Sequence, residues 1–358
     1  MIEPAFWKNR RVFITGHTGF KGSWLCLILH GLGANVTGYA QKAPTDPSLF
    51  EICNVRSIAK TVFSDIRDLQ TLKKSLISAS PEIVIHMAAQ ALVRESYAHP
   101  VETYSTNVMG TVNILEEVRD CKSVRAVINV TTDKCYGNKE WIWSYRENEP
   151  LGGFDPYSSS KTCSEVVTAA YRNSFFNPEE YKKHNVALAS VRAGNVIGGG
   201  DWAKDRLIPD CIRAVMQKKK IVIRNPRAVR PWQHVLEPLT GYLMLAERLY
   251  KIGPQYGGAW NFGPNYDDPK PVAWIAERIS SEFGATLALQ KPSKMKKPHE
   301  TSILRLDSTK ARQVLGWVPK WGLEKAVDRT MIWYKTFMDG QDMRKICDRQ
   351  IEEYLSDK

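Results

Sequence analysis

A short apolar strand that runs through three evenly spaced glycines into a helix constrains this chain more than any other feature. Arg11 to Thr15 reads as the strand, Gly16-His17-Thr18-Gly19-Phe20-Lys21-Gly22 as the turn, and the amphipathic run to about His30 as the helix. Glycines let a backbone approach a pyrophosphate, and a helix N-terminus supplies N–H donors and the positive end of its dipole. In this context the glycines predict a dinucleotide site at the carboxyl end of a parallel strand. Two residues separate each successive pair of glycines, a variant of the usual Gly-x-Gly-x-x-Gly.

The pattern then repeats. Val36 to Tyr39, Val62 to Ser64, Ile83 to Met87, Val124 to Val130 and Ala187 to Arg192 read as further strands separated by helical stretches. Alternation of this kind predicts an α/β fold with a doubly wound, Rossmann-type parallel sheet, whose ligands gather at the carboxyl ends of the strands. Polar motifs stand at those ends: Asp65-Ile66-Arg67-Asp68, Ala88-Ala89-Gln90, Thr131-Thr132-Asp133-Lys134 and Gly194-Asn195. After Asn195, prolines and Gly198-Gly199-Gly200 break the chain into short elements, and Lys310 to Leu315 reads as a helix stopped by Gly316. The expected organisation is a dinucleotide-binding domain of residues 1–194 and 229–262, with a smaller mixed α/β lobe from 195–228 and 263–358.

Tyr157 and Lys161 carry the chemistry. Four residues apart on a helix they share one face, so an ammonium can lie beneath the phenol and favour the phenolate. Chance produces this spacing often, and Tyr266 with Lys270 repeats it; that copy contains Pro269 and should not be helical. Tyr157 instead opens a run from Ser158 to Arg172 without glycine or proline. One expected feature is missing. No acidic residue follows the glycines by about twenty positions to hold an adenosine ribose; Gly38-Tyr39-Ala40-Gln41-Lys42 stands there, and Lys42, His17 and Lys21 could face the 2'-phosphate of NADP.

Composition narrows the remaining choices. With 43% hydrophobic and 25% charged residues the chain is an ordinary globule, and it contains no apolar run long enough to span a membrane. Seven cysteines without a Cys-x-x-Cys spacing argue for reduced thiols, a cytoplasmic setting, and neither a disulfide frame nor a metal site. A net charge of +12 favours anionic partners, and Lys218 to Lys220 with Lys291, Lys294, Lys296 and Lys297 could form a basic patch. No nucleic-acid-binding module accompanies them, so a solvated lysine surface plus arginines for a phosphorylated small molecule is the expectation.

Taken in order, Gly16-x-x-Gly19-Phe20-x-Gly22, Asp65-Ile66-Arg67-Asp68, His86-Met87-Ala88-Ala89-Gln90, Asn107-x-x-Gly110-Thr111, Thr132-Asp133, Tyr136-Gly137, Tyr157-x-x-x-Lys161, Arg192-x-x-Asn195, Leu207-Ile208-Pro209, Arg230-x-Trp232 and Leu315-Gly316-Trp317 span nearly the whole chain. The set resembles the extended short-chain dehydrogenase/reductase family, and within it the nucleotide-sugar 4,6-dehydratases. By that resemblance Gly16, His17, Gly19, Phe20, Lys21 and Gly22 would hold the pyrophosphate of NAD, Asp65 and Ile66 would meet its adenine, and Ala88, Ala89 and Gln90 would line its nicotinamide side. Asn195, Arg206, Arg230 and His299 would bind a nucleoside-diphosphate sugar. Thr132, Asp133, Lys134, Tyr157 and Lys161 would be catalytic, with Tyr157 as the C4 base, Asp133 as the acid and Lys134 at C5. Epimerases of the family typically lack an acid after the threonine, whereas dehydratases usually follow their Asp with Glu; Lys134 departs from that pattern. By the same resemblance the Asp133-Lys134 pair and Gly-Gly-Gly-Asp-Trp at 198–202 imply CDP-glucose as substrate, with dTDP-glucose, GDP-mannose, 4-epimerisation, decarboxylation or a non-catalytic dinucleotide-sensing or RNA-binding role left open. The family also implies a homodimer, built as a four-helix bundle from the helix after Asn107 and the helix beginning at Tyr157.

Overall fold

The computed structural model describes residues 1–266, 268, 270–289 and 303–357. Among them, seven parallel strands form the central sheet: β1 (Arg11–Thr15), β2 (Asn35–Ala40), β3 (Lys60–Phe63), β4 (Ile83–His86), β5 (Ala126–Val130), β6 (Ala187–Ala193) and β7 (Gly258–Phe262), in the order β7-β6-β5-β4-β1-β2-β3. Strands β4, β5 and β6 are buried along their whole length, as parallel strands covered on both faces must be. The strand order reverses between β1 and β4, where Thr15 pairs with both Tyr39 and His86. A crevice at such a reversal is where ligands bind. Six of the strands follow the sequence pattern; β7 does not, because its five residues begin at Gly258 with neither alternation nor a long apolar run to announce them.

Helices fix what stands around the crevice. Helix α1 (Phe20–Gly31) begins at Gly19, with no side-chain cap and no acidic residue in its first turn, so its leading N–H groups keep their positive character. Helix α2 (Gly110–Asp120) continues a helical run from Pro100 through a π-turn at Ser105–Met109. Helix α3 (Pro156–Ser174) has proline at its first position and Asp155 as its cap, whose carboxylate accepts from Ser158 N at 2.9 Å and Ser158 Oγ at 2.7 Å. That cap fixes the start of the helix, and therefore the place of Tyr157 in its first turn. Helix α4 (Leu236–Lys251) is buried over most of its length and packs on β5 and β6.

The smaller lobe is assembled from short pairings. Ile221–Ile223 runs parallel to Leu287–Leu289, Val229–Arg230 antiparallel to Lys270–Pro271, and Val196–Ile197 parallel to Gln233–His234. Tyr266 lies in a turn and Lys270 in one of these strands, so neither end of the second Tyr-x-x-x-Lys copy is helical. Ala311–Leu315 forms a π-turn ended by Gly316 at φ +72°. The last two helices, α5 (Leu323–Met338) and α6 (Met343–Ser356), fold back against the dinucleotide side, where α6 packs on α1. Helix α5 packs tightly on the loop after Val196–Ile197, where a Cβ on Gly199 would fall 1.9 Å from Trp333.

Candidate active site

The glycine turn is shaped for close approach. Gly16 adopts φ +77°, and a Cβ there would lie 2.8 Å from Ala88 N; one on Gly22 would lie 2.3 Å from Gly16 O. Gly19 differs, since a Cβ would meet only Gly16 O, at 3.4 Å. It leaves an open cradle in front of the uncapped amides of α1, which suits the pyrophosphate of a dinucleotide. Phe20 reaches across to the other lobe, its ring 3.2 Å from where a Gly198 Cβ would be.

Two basic side chains of this turn do not face a 2'-phosphate. His17 is fully buried beneath β2, its Nε2 3.1 Å from Thr61 Oγ1 and its ring 5.5 Å from that of Phe50, and burial pulls it down to about 4. Gly38 makes room for it, because a Cβ there would come within 2.2 Å of the imidazole. Lys21 points inward and donates to Tyr242 OH at 3.2 Å; burial, with Lys161 and Arg206 nearby, brings its amine down to about 7. Lys42 alone of the three is exposed. Asp65 accepts from Gln41 Nε2 at 2.6 Å and pairs with Arg67, also at 2.6 Å, so a carboxylate does reach the end of β2, delivered from the loop after β3. The Ile66 side chain is buried under Gly110, and its carbonyl accepts from Asn113.

On the other wall, Ala88 N and Met87 N both donate to Thr15 Oγ1, which ties the two strand ends together. Ala89 is half-buried beside them. Gln90 spends its side chain on the loop itself, bonding Thr103 Oγ1, Leu92 O and Leu92 N. Asn107, in the π-turn, accepts from Gln90 N at 2.8 Å and donates to Gln90 O at 3.0 Å and Ser160 Oγ at 2.8 Å. It joins the cofactor loop to α3. Its place in a sequence motif was visible, whereas this bridging role needs three segments in contact.

Strand β5 delivers Thr132, Asp133 and Lys134 to the crevice, and α3 brings Tyr157 and Lys161 against them. Thr132 bonds Asp133 Oδ1 at 3.1 Å and lies within hydrogen-bond reach of the Tyr157 phenol. Lys161 Nζ donates to Val130 O at 3.0 Å, and burial lowers it to about 8. The phenol moves opposite to the sequence expectation: burial raises Tyr157 to about 12, and the Thr132 hydrogen bond only partly offsets this. The phenolate therefore needs a further positive charge above the ring. Asp133 is 1% exposed and its Oδ2 has no partner; burial pushes its carboxyl up against the opposing pull of Lys134, Thr132 and Arg230. Lys134 is half-buried and its N donates to Thr132 Oγ1.

The second lobe closes over this group. Asn195 lies between β6 and the short strand Val196–Ile197, its carbonyl accepting from Gln233 N. Arg206, at the start of the Leu207–Met216 helix, bonds Asp201 Oδ2 at 2.9 Å and remains 37% exposed. Arg230 is near enough to Asp133 to act on its charge, and its Nη1 donates to Val229 O. His299 and the lysines at 291, 294, 296 and 297 lie outside the described residues. Tyr242 of α4 also belongs to the site, through Lys21 and by its proximity to Asp133 and Tyr157, and nothing in its sequence context marks it.

A doubly wound sheet with a glycine cradle, a Thr-Tyr-Lys group and two arginines on the facing segments suits an enzyme that moves hydride between a dinucleotide and a phosphate-bearing substrate. The chain belongs to the extended short-chain dehydrogenase/reductases, in the family described as GDP-mannose 4,6 dehydratase, whose model matches residues 13–330. It is 54% identical, over 99% of both chains, to the CDP-glucose 4,6-dehydratase of Salmonella typhimurium. Among solved structures it resembles a dTDP-glucose 4,6-dehydratase from Bacillus anthracis in complex with NAD (TM-score 0.74, 22% identity, covering 92% of this chain and 98% of that one). It resembles equally a UDP-glucose 4-epimerase from Thermotoga maritima with UDP-glucose (TM-score 0.78, 20% identity, 91% and 99%). Dehydratase and epimerase share the scaffold, so the reaction is decided by the residues in the crevice.

Proposed function

We propose that the protein is a CDP-glucose 4,6-dehydratase with NAD as resident cofactor, converting CDP-D-glucose to CDP-4-dehydro-6-deoxy-D-glucose and water. Asp133 carries this reading: a buried carboxyl whose burial raises its pKa above the usual carboxylate value, with one oxygen unpartnered, beside the Thr132–Tyr157 pair. An epimerase has no use for an acid there, whereas loss of the C6 hydroxyl requires one. The choice of cytidine and glucose rests on the relative at 54% identity.

Gly16, Gly19 and Gly22 with the leading amides of α1 would hold NAD, which would supply a hydride acceptor for C4 and a hydride donor for C6 within one turnover. Tyr157 takes the proton of the C4 hydroxyl while Thr132 bonds the same oxygen, and the charge of Lys161 supports the phenolate. Oxidation at C4 acidifies C5–H, which Lys134 removes. Asp133 gives its proton to the departing C6 oxygen, so water leaves, and Lys134 returns a proton to C5 at the close. Arg230 and Arg206 suit the substrate diphosphate, the latter while sharing Asp201. Asp133→Asn should keep C4 oxidation, seen as transient reduced cofactor, and slow water loss by about 10²- to 10⁴-fold; unimpaired water loss would remove Asp133 from its role.

We assign residues 1–194 and 229–262 to the cofactor domain and 195–228 with 263–358 to the substrate lobe, supported by which segments build the central sheet. A cytoplasmic setting accords with seven unpaired cysteines, and among the described residues no helix is long and apolar enough to cross a membrane. A homodimer through the Pro100–Asp120 helical run and α3 accords with Val101, Met109 and Val166, which are 82%, 50% and 55% exposed on those helices.

A further inference from the structure

Behind the catalytic group lies a buried ion pair for which the proposed chemistry has no step. Glu165 stands one helical turn beyond Lys161 on α3, and Arg192 is near the end of β6; they are 4% and 3% exposed. The carboxylate accepts four hydrogen bonds, from Thr131 Oγ1 (2.5 Å), Ser190 Oγ (2.7 Å), Arg192 Nε (3.0 Å) and Arg192 Nη2 (2.8 Å). Arg192 Nη1 then donates to Tyr136 OH at 2.8 Å, and that hydroxyl donates to Asn261 Oδ1 of β7 at 2.7 Å. Thr131 and Tyr136 bracket the segment that contains Thr132, Asp133 and Lys134. One carboxylate thus pins both ends of the catalytic turn, directly through Thr131 and through Arg192 at Tyr136.

We propose that Glu165 is a positioning residue of the active site, fixing the Thr132–Lys134 turn against α3 and setting the electrostatic field at Lys161. The inference rests on the reading of Tyr157 and Lys161 as the C4 oxidation pair. Burying two ions costs more than their attraction returns unless the geometry is fully satisfied, so a core that needed only stability would be served as well by apolar residues. This pair is fully satisfied, and it touches the catalytic turn at both ends.

Several other groups lie near Lys161: Cys135 on the turn after β5, His86 on β4 and Lys21 on α1, with Tyr157 four residues back on its own helix. Burial holds Cys135 as the thiol and His86, at about 3, as the neutral ring, so neither contributes charge near neutral pH. Lys21 titrates near 7, but Glu165 is not among the groups that act on it. Against burial, which pulls Lys161 down to about 8, Glu165 is the first counterweight. Removing its charge must let Lys161 lose its proton at lower pH.

The test uses the full-length protein with NAD and CDP-glucose, comparing wild type, Glu165→Gln, Glu165→Asp and the double variant Glu165→Gln/Arg192→Met. Turnover by wild type in the same assay secures the underlying reading, and its absence would overturn that reading and this inference together. With wild type active, Glu165→Gln should lower kcat by up to about 100-fold, leave NAD affinity by titration unchanged, and move the alkaline limb of the kcat profile to lower pH. Glu165→Asp should restore the limb. The double variant leaves no unpaired buried charge, so it should recover thermal stability while keeping the shifted limb. It also serves as the test if Glu165→Gln does not fold. A double variant with both stability and the wild-type pH profile would show that Glu165 is merely structural.

Discussion

At the scale of single residues, the three glycines of the turn make unlike demands. Gly22 faces backbone at 2.3 Å and Gly16 combines a positive φ with backbone at 2.8 Å, so any side chain at either displaces the loop. Gly19 faces ligand space instead. Gly22→Ala should therefore destabilise the fold, by about 1–3 kcal/mol as for other overpacked sites, in the absence of any ligand. Gly19→Ala should leave the melting temperature of the ligand-free protein close to wild type while weakening NAD in a titration. Equal losses of ligand-free stability in both variants would contradict the assignment of Gly19 to the cofactor. Sequence spacing identified all three glycines but could not rank them, because the rank depends on what each Cα faces. His17 and Lys21 carry the same lesson. Both are basic residues in a phosphate-binding turn, yet Gly38 opens a buried slot for His17, and Tyr242 draws Lys21 inward.

At the scale of elements, legibility tracks how local the cause is. The existence of α3 was readable because Tyr157 opens a local run without glycine or proline, and the Asp155 cap and Pro156 that set its first residue stand directly before that run. Strand β7 was not, since its only reason to be a strand is the exposed edge of β6, with which it pairs from Ala189 to Ala193. The Asn107 bridge and the Glu165–Arg192 pair likewise join segments about 50 and 27 residues apart, and only the folded sheet brings them together. The exposed apolar positions on the Pro100–Asp120 run and α3 lead to a prediction at this scale. Val101→Asp or Val166→Asp would place like charges on both copies of an intersubunit bundle. Light scattering should then give a mass near the 40.6 kDa of one chain, where wild type gives about twice that or more. An unaltered assembly in both variants would move the interface elsewhere.

At the scale of the whole molecule, the C-terminal segment is held to the dinucleotide domain around His234. Its ring lies 4.9 Å from that of Trp321 and 6.1 Å from that of Trp24 on α1, and burial lowers it to about 3. A buried neutral histidine takes up its proton on unfolding. Its contribution is complete above the unfolded value of roughly 6.5 and is lost as pH falls toward 3. His234→Phe removes that loss, so the stability of the variant relative to wild type should rise steadily as pH drops from about 6.5 to about 4 in denaturant titrations. A constant difference across that range would mean that His234 is already charged in the native state. Glu237 nearby titrates the opposite way, raised by burial to about 7, but it is common to both proteins and cancels in the comparison.

The chemistry proposed for this crevice removes water from a nucleotide sugar while the hydride it borrows is returned. The most direct measurement is incubation of the purified protein and NAD with CDP-glucose, and in parallel with dTDP-glucose, UDP-glucose and GDP-mannose, followed by mass spectrometry of the sugar nucleotide and absorbance of reduced cofactor. The prediction is loss of one water from CDP-glucose with no net accumulation of NADH. A sugar of unchanged mass with inverted C4, or no reaction with any of the four, would contradict it.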